Sequence, residues 1–163
     1  MLNYSAARVG IFWVPTRPCI CSSTMVTRYQ KRISGPLLDR IDIFMQVLRE
    51  EYQKLQSMRL GETSSEVRVR VEAACQVQRE RFSGTSLASN ADMRPVHFRQ
   101  FCLLNEDCQA LMKTVMHQLQ LTARAYHRVL KLSRTIADLE GSEAITQVHL
   151  AEALQYRPKL DLM

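Results

Sequence analysis

One long amphipathic segment near the C-terminus constrains the fold of this sequence more than any other feature. Thr122 to Glu140 has helical periodicity and is followed by Gly141, a residue that commonly follows a helix end. The face predicted to pack carries Ala125, Val129, Leu132, Ile136 and Leu139. The opposite face carries Arg124, His127, Arg128, Lys131 and Arg134. The sequence therefore predicts a helix with one packed face and one basic face, and the basic face has two interpretations: a solvated surface or a phosphate site at the helix N-terminus.

Local start and stop signals predict further helices in the same region. Thr63 to Glu66 has the pattern of a capping box and begins a helix that ends at Phe82. The alternation of Val67, Val69 and Val71 favours a strand instead, but the length of the periodic segment favours the helix. The remaining predicted helices are a short one from Pro95 through Phe101, one capped by Asn105, and a last one from Thr146 to Arg157, and residues 85–94 predict a polar loop. The helix capped by Asn105 has an apolar stripe that predicts a packing face: Cys108, Leu111, Met112, Val115, Met116 and Leu119.

A second informative stretch is RISGPLLDRID, residues 32–42. Gly35 and Pro36 predict a turn, the next residues a short helix, and the alternating residues 41–47 a strand. Arg40 would then lie at the end of the short helix. From these residues alone, Arg40 either pairs with a neighbouring aspartate on the surface or projects away from its own domain.

Residues 1–27 show no sustained period and predict an irregular arm. Cys19 and Cys21 form a Cys-x-Cys pair that could supply half of a zinc site, but no second close pair of Cys or His follows. Two separate thiols are therefore the favoured interpretation, and we predict no metal.

The composition is that of a globular chain with a basic balance. Of the 163 residues, 46% are hydrophobic and 23% charged, and the net charge of +6 favours polyanionic partners. No apolar run is long enough for a membrane helix, and the N-terminus lacks the pattern of a signal peptide. Five cysteines, an odd number, fit a reducing compartment, so we expect a cytoplasmic protein without membrane partners.

The residues do not reveal a catalytic constellation. The sequence contains neither H-E-x-x-H nor the phosphate-loop pattern G-x-x-x-x-G-K-[ST]. A complete nucleotide hydrolase is therefore not predicted from these residues.

Three segments carry a resemblance to a known family. They are RYQKRISGPLLDRIDIFMQV (28–47), SSEVRVRVEAACQVQRERF (64–82) and TARAYHRVLKLSRTIADLEGSEAITQVHLAEALQYR (122–157). In order and spacing they resemble the C-terminal part of magnesium-chelatase-like AAA+ ATPases of the ComM (YifB) family. The resemblance implies a mainly α fold: an irregular arm at 1–27, a short α/β remnant of the ATPase core at 28–60, and a C-terminal helical lid bundle at 61–163.

The resemblance also implies roles for three arginines. Arg40 would be an arginine finger that reaches the nucleotide site of a neighbouring subunit, where such residues accelerate phosphoryl transfer by about 10³ to 10⁵. Arg124 would be the sensor-2 arginine that contacts the γ-phosphate, and Arg128 a further candidate for nucleotide binding. In the intact family protein we expect ATP and Mg²⁺ as cofactors, a homo-oligomeric ring of six subunits, and DNA as a partner.

Two departures limit what the resemblance implies for this chain. The phosphate loop and the Walker B residues of the family precede the matching segments, so we expect no cofactor and no ATP hydrolysis for this chain alone. Residues 1–9 match no part of the family. The alternative function is therefore a stand-alone basic helical module that binds DNA or protein without ATPase activity.

Overall fold

The computed structural model describes residues 21–30, 40–45 and 61–157 of the chain. The first two ranges belong to one compact unit, and the third belongs to a second unit, Arg59–Arg157.

In the first unit, helix α1 covers Ser23–Gln30. The hydroxyl of Ser22 accepts a hydrogen bond from the Met25 N–H (3.4 Å), which explains why a helix begins where the sequence predicts an irregular arm. Residues 23–27 therefore differ from that prediction, while Cys19 and the short helix predicted before Arg40 lie outside the described residues.

Arg40 is an exposed turn residue, and residues 41–45 have no strand conformation. These five residues belong to the strand predicted over 41–47, whose last two residues lie outside the described ranges. Because a strand requires a hydrogen-bonded neighbour, an alternating sequence alone does not produce one.

The second unit is helical, and its described residues, 61–157, contain no strand. Its α-helices are α2 (Ser64–Arg81), α3 (Pro95–Phe101), α4 (Glu106–Gln118), α5 (Ala123–Glu140) and α6 (Gln147–Gln155). A short 3₁₀ helix, Asn90–Asp92, lies between α2 and α3. The predicted mainly α fold is confirmed. The alternating valines at the start of α2 are helical and do not form a strand.

Three helices begin at the predicted N-caps. At α2 the Thr63 hydroxyl accepts from the Glu66 N–H (3.3 Å) and the Glu66 carboxylate accepts from the Thr63 N–H (2.8 Å), which completes the capping box. Asn105 accepts from the Cys108 N–H (2.9 Å) at α4. Thr122 accepts from the Ala125 N–H (3.1 Å) at α5. These starts depend only on residues within one turn, so the sequence was sufficient to predict them.

Helix α5 ends in a Schellman motif at Gly141, whose φ of 77° lies in the left-handed region. The Ser142 N–H donates to the Ala137 carbonyl (2.8 Å), and the Gly141 N–H donates to the Asp138 carbonyl (3.2 Å). The chain thereby turns back toward the last two turns of α5.

Helix α5 is central to the second unit and packs against α6, α2, α3 and the 3₁₀ helix. Its fully buried residues are Ala125, Val129, Leu130, Ser133, Arg134, Ala137 and Asp138. The buried face is therefore displaced from the predicted one: Leu132 and Ile136 are half-buried and Leu139 is 49% exposed. The displacement arises because α2 and the 3₁₀ helix cover a side of α5 that the apolar periodicity did not identify.

The core of the unit is apolar, with Phe82, Phe98, Cys108, Met112, Val129 and Leu150 among its buried members. On α4 only Cys108 and Met112 of the predicted apolar stripe are fully buried, and Leu119 is exposed. The predicted polar loop at 85–94 also contributes to the interior, because Asn90 and Met93 are buried. None of the described helices is long and apolar enough to cross a membrane.

Candidate functional site

Arg124 lies in the first turn of α5, two residues after the N-cap Thr122, and its side chain is exposed. The first N–H groups of a helix lack intrahelical acceptors and carry the positive end of the helix dipole. Arg124 therefore adds an exposed positive charge at the positive end of the helix dipole.

Arg128 lies one turn beyond Arg124 on the same side of α5 and is half-buried. The structure thus brings these two predicted residues together on one helix. Arg40 belongs to the first unit, in which it is an exposed turn residue.

The rest of the predicted basic face is largely engaged in contacts within the unit. Lys131 donates to the Ala91 carbonyl (2.5 Å). The ring of His127 stacks on Phe98, with a distance of 4.7 Å between ring centroids and an interplanar angle of 19°. Burial, and to a smaller extent the charge of Lys131, lowers the pKa of His127. A continuous cationic surface along α5 is therefore not present.

Arg134 corrects the prediction most clearly, because it is buried rather than part of an exposed basic face. Its Nε donates to the Asp138 carboxylate (3.1 Å), one turn further along α5. Its two terminal nitrogens donate to the carbonyls of Glu143 (2.7 Å) and Ser142 (2.5 Å). Burial lowers the pKa of Arg134, and the neighbouring Asp138 opposes that shift. Arg134 serves the structure of the unit.

Asp138 is the centre of a polar cluster, which we call the Asp138 clamp: the buried Asn90, Arg134 and Asp138 and the half-buried Arg81. The Asp138 carboxylate accepts from both terminal nitrogens of Arg81, one of them at 2.8 Å, and from the Asn90 amide at 2.8 Å. Asn90 also donates to the Thr135 hydroxyl (3.1 Å). The clamp joins the C-terminal end of α2, the 3₁₀ helix and α5.

The described residues contain no group of three or more His, Cys, Asp or Glu side chains placed to hold a metal ion. Cys21 is half-buried, and Cys19, the other cysteine of the Cys-x-Cys pair, lies outside the described ranges. Cys102 and Cys108 are buried, and burial raises the pKa of both thiols, that of Cys102 to about 11. These two thiols are core residues.

Comparison with known families decides the identity of the second unit. Residues 61–157, more than half of the chain, match the family described as magnesium chelatase, subunit ChlI C-terminal. The chain belongs to this family. Residues 2–55 match a second description, magnesium chelatase, subunit ChlI, so the prediction that residues 1–9 match no part of the family is wrong for residues 2–9. The second unit is accordingly a helical lid domain of the magnesium-chelatase-like type.

Several relatives are similar to most of this magnesium-chelatase-like chain. It is 40% identical over 143 residues to the competence protein ComM of Haemophilus influenzae, a match that covers 87% of this chain and 27% of that protein. It is 40% identical over 139 residues to the uncharacterized protein YifB of Escherichia coli K12, covering 84% of this chain and 26% of YifB. An uncharacterized protein of Mycobacterium tuberculosis H37Rv is 30% identical over 139 residues, covering 85% of this chain and 27% of that protein. The chain thus spans about a quarter of the length of these relatives.

The sequence did not predict the Asp138 clamp. One available signal was the spacing of Arg134 and Asp138, an i, i+4 pair of opposite charges on a helix. The contributions of Arg81 and Asn90 had no local signal, since they lie 57 and 48 residues before Asp138.

Proposed function

We propose that this chain supplies the lid and the arginine finger of an ATP-driven ring of the magnesium-chelatase-like family. In this proposal Arg124 acts as the sensor-2 residue and contacts the γ-phosphate of ATP bound with Mg²⁺, and Arg128 lies close enough along α5 to assist. Arg40 acts in trans on the nucleotide of a neighbouring subunit. The name of the H. influenzae relative, a competence protein, supports DNA as the substrate of the ring.

The observation that carries the proposal is the contrast between Arg124 and Arg134 on one helix. Arg134 is buried, and its donors are taken by Asp138 and two backbone carbonyls. Arg124 is exposed at the positive end of the same helix. An anion bound there would gain both the helix N-terminus and a guanidinium suited to phosphate oxygens.

The alternative, a stand-alone basic module that binds DNA, rests on the net charge of +6. The structure supports it less than the sequence does, because Arg134 is buried and Lys131 contacts a backbone carbonyl. Such a module would bind DNA with an affinity that falls steeply as salt rises, whether or not ATP is present.

The test uses intact ComM of H. influenzae with alanine at the positions aligned with Arg124 and Arg40. For the first variant we expect ATP affinity to fall at least tenfold, measured by isothermal titration calorimetry. For the second we expect ATP binding to persist while hydrolysis falls by about 10³ or more. Alanine at the position of Arg99, an exposed arginine on α3, is the matched control.

A subunit-mixing experiment tests whether Arg40 acts in trans. Subunits lacking the finger are mixed with subunits lacking the phosphate-loop lysine, and each is inactive alone. Mixed rings should recover part of the hydrolysis, because some interfaces combine an intact phosphate loop with an intact finger. Normal hydrolysis in the finger variant alone, or loss of its ATP binding, would overturn the assignment of Arg40.

A further inference from the structure

The N-terminal half of α2 extends beyond the packed part of the second unit. All residues from Ser64 to Ala73 are exposed, whereas Ala74 and Gln78 in the C-terminal half, and Phe82 directly after it, are buried. At 1.5 Å per residue the exposed part is about 15 Å long. The capping box holds its first turn, so the contacts of the C-terminal half alone determine where this extension points.

Those contacts include the Asp138 clamp at the last residue of α2. Arg81 reaches Asp138 through two parallel hydrogen bonds, a geometry that fixes the plane of the guanidinium as well as its distance. Asn90 contacts the Arg81 guanidinium (3.2 Å) and the Asp138 carboxylate at once. Gln78, one turn before Arg81, accepts from the Asn90 N–H (3.0 Å). The end of α2 is therefore held against α5 by directional bonds.

A buried ion pair is a costly way to gain stability, because the desolvation of both charges offsets most of their attraction. Apolar residues of similar volume commonly provide equal or greater stability at such positions. Directional bonds also constrain the relative orientation of the two helices that they join, a role that buried polar groups have in some proteins. In this unit the two helices are α2, by which the chain enters the lid, and α5, which carries Arg124 at its far end.

We propose that Asp138 is a positioning residue that fixes the angle between α2 and α5, and thereby couples the direction of α2 to Arg124. The coupling to Arg124 rests on the proposed function, in which Arg124 contacts ATP. The angle itself is measurable without it.

The first experiment measures the angle in the 163-residue chain by NMR residual dipolar couplings. In the wild type, couplings from α2 and α5 should fit one alignment tensor. In Asp138→Asn, and in a triple variant with Arg81→Met, Arg134→Met and Asp138→Leu, they should require two tensors. The triple variant keeps the test valid if Asp138→Asn does not fold, since apolar replacement preserves stability. Glu62→Gln, which removes the exposed ion pair with Arg70, is the control and should leave one tensor.

A folded triple variant that retains one tensor and the wild-type angle would overturn the proposal.

The second experiment substitutes the position aligned with Asp138 in intact ComM and measures ATP hydrolysis. We expect kcat to fall about 10-fold to 100-fold, and the dissociation constant for ATP to rise by less than in the Arg124 variant, since a displaced arginine costs rate more than binding. An unchanged kcat would overturn the coupling to Arg124. If the Arg124 variant of ComM binds and hydrolyses ATP normally, the proposed function of Arg124 is wrong. The NMR measurement of the angle between α2 and α5 does not depend on that function.

Discussion

Arg81 at the end of α2 donates hydrogen bonds from both terminal nitrogens to the carboxylate of Asp138 in α5, 57 residues further along the chain. The Asp138 side chain is inaccessible to solvent and also accepts from Arg134. One carboxylate therefore serves two guanidinium groups, and no second carboxylate contacts them among the described residues.

This arrangement predicts a large cost for removing the shared partner. Asp138→Ala leaves the buried Arg134 and the half-buried Arg81 without a carboxylate, so we expect the free energy of unfolding to fall by about 3 to 5 kcal/mol. Urea denaturation followed by circular dichroism measures the change. Glu62→Ala removes the partner of Arg70 in an exposed pair and should cost less than about 1 kcal/mol. Equal effects of the two substitutions would contradict a buried role for Asp138.

Helix α6 offers a matched test of the core. Leu150 is fully buried, while Val148, two residues earlier, is 68% exposed. We expect Leu150→Ala to lower the free energy of unfolding by about 2 to 5 kcal/mol, because it removes apolar contacts and leaves a cavity. Val148→Ala should change it by less than about 0.5 kcal/mol. A large effect at Val148 would show that this face of α6 is covered in solution.

The thiols of the second unit should differ in reactivity. Burial raises the pKa of Cys102 to about 11, and Cys108 is also buried, whereas Cys75 is exposed on α2. Because the thiolate is the reactive form, iodoacetamide at pH 8 should modify Cys75 long before the other two. Mass spectrometry of proteolytic peptides measures the order, and all three should react together in urea. Early modification of Cys102 in the folded chain would contradict its place in the core.

The capping box of α2 predicts a pH dependence. Hydrogen bonds from the Thr63 side chain and backbone lower the pKa of Glu66 from its ordinary value of 4.5. A lowered carboxyl pKa contributes stability that is present above the ordinary pKa and is lost as the pH falls through the folded-state value. Amide exchange in the first turn of α2 should therefore accelerate below about pH 4.5 relative to the middle of the helix.

Glu66→Gln is the control for this titration, since glutamine also completes a capping box but does not ionise. The acid-induced acceleration should disappear in that variant. If it persists unchanged, another group controls the start of α2.

The sequence predicted features that depend on neighbouring residues and missed features that depend on residues far apart in the chain. The caps at Thr63, Asn105 and Thr122 and the proline start of α3 depend on residues within one turn, and each was found at the predicted position. The capping hydroxyl of Ser22 is an equally local signal, but the predicted irregular arm did not include the helix α1 that follows it.

The burial of α5 required information that the helix itself does not contain. An arginine on the polar side of a helix favours exposure, but Asn90 and Arg81 arrive from distant parts of the chain to complete a buried cluster with Arg134 and Asp138. His127 shows the same effect on a smaller scale, because Phe98 covers its ring. The exposure of Arg124 was predicted correctly, since the end of a helix has fewer neighbours than its middle.

The left-handed residue at the end of α5 has an electrostatic consequence. Because Gly141 turns the chain back, the carbonyls of Ser142 and Glu143 point at the second guanidinium of the Asp138 clamp, which has no carboxylate of its own. Peptide dipoles thus help the shared carboxylate of Asp138 to stabilise the buried charge of Arg134. A substitution at Gly141 would therefore weaken the stabilisation of a buried guanidinium seven residues away, although position 141 bears neither charge nor side chain.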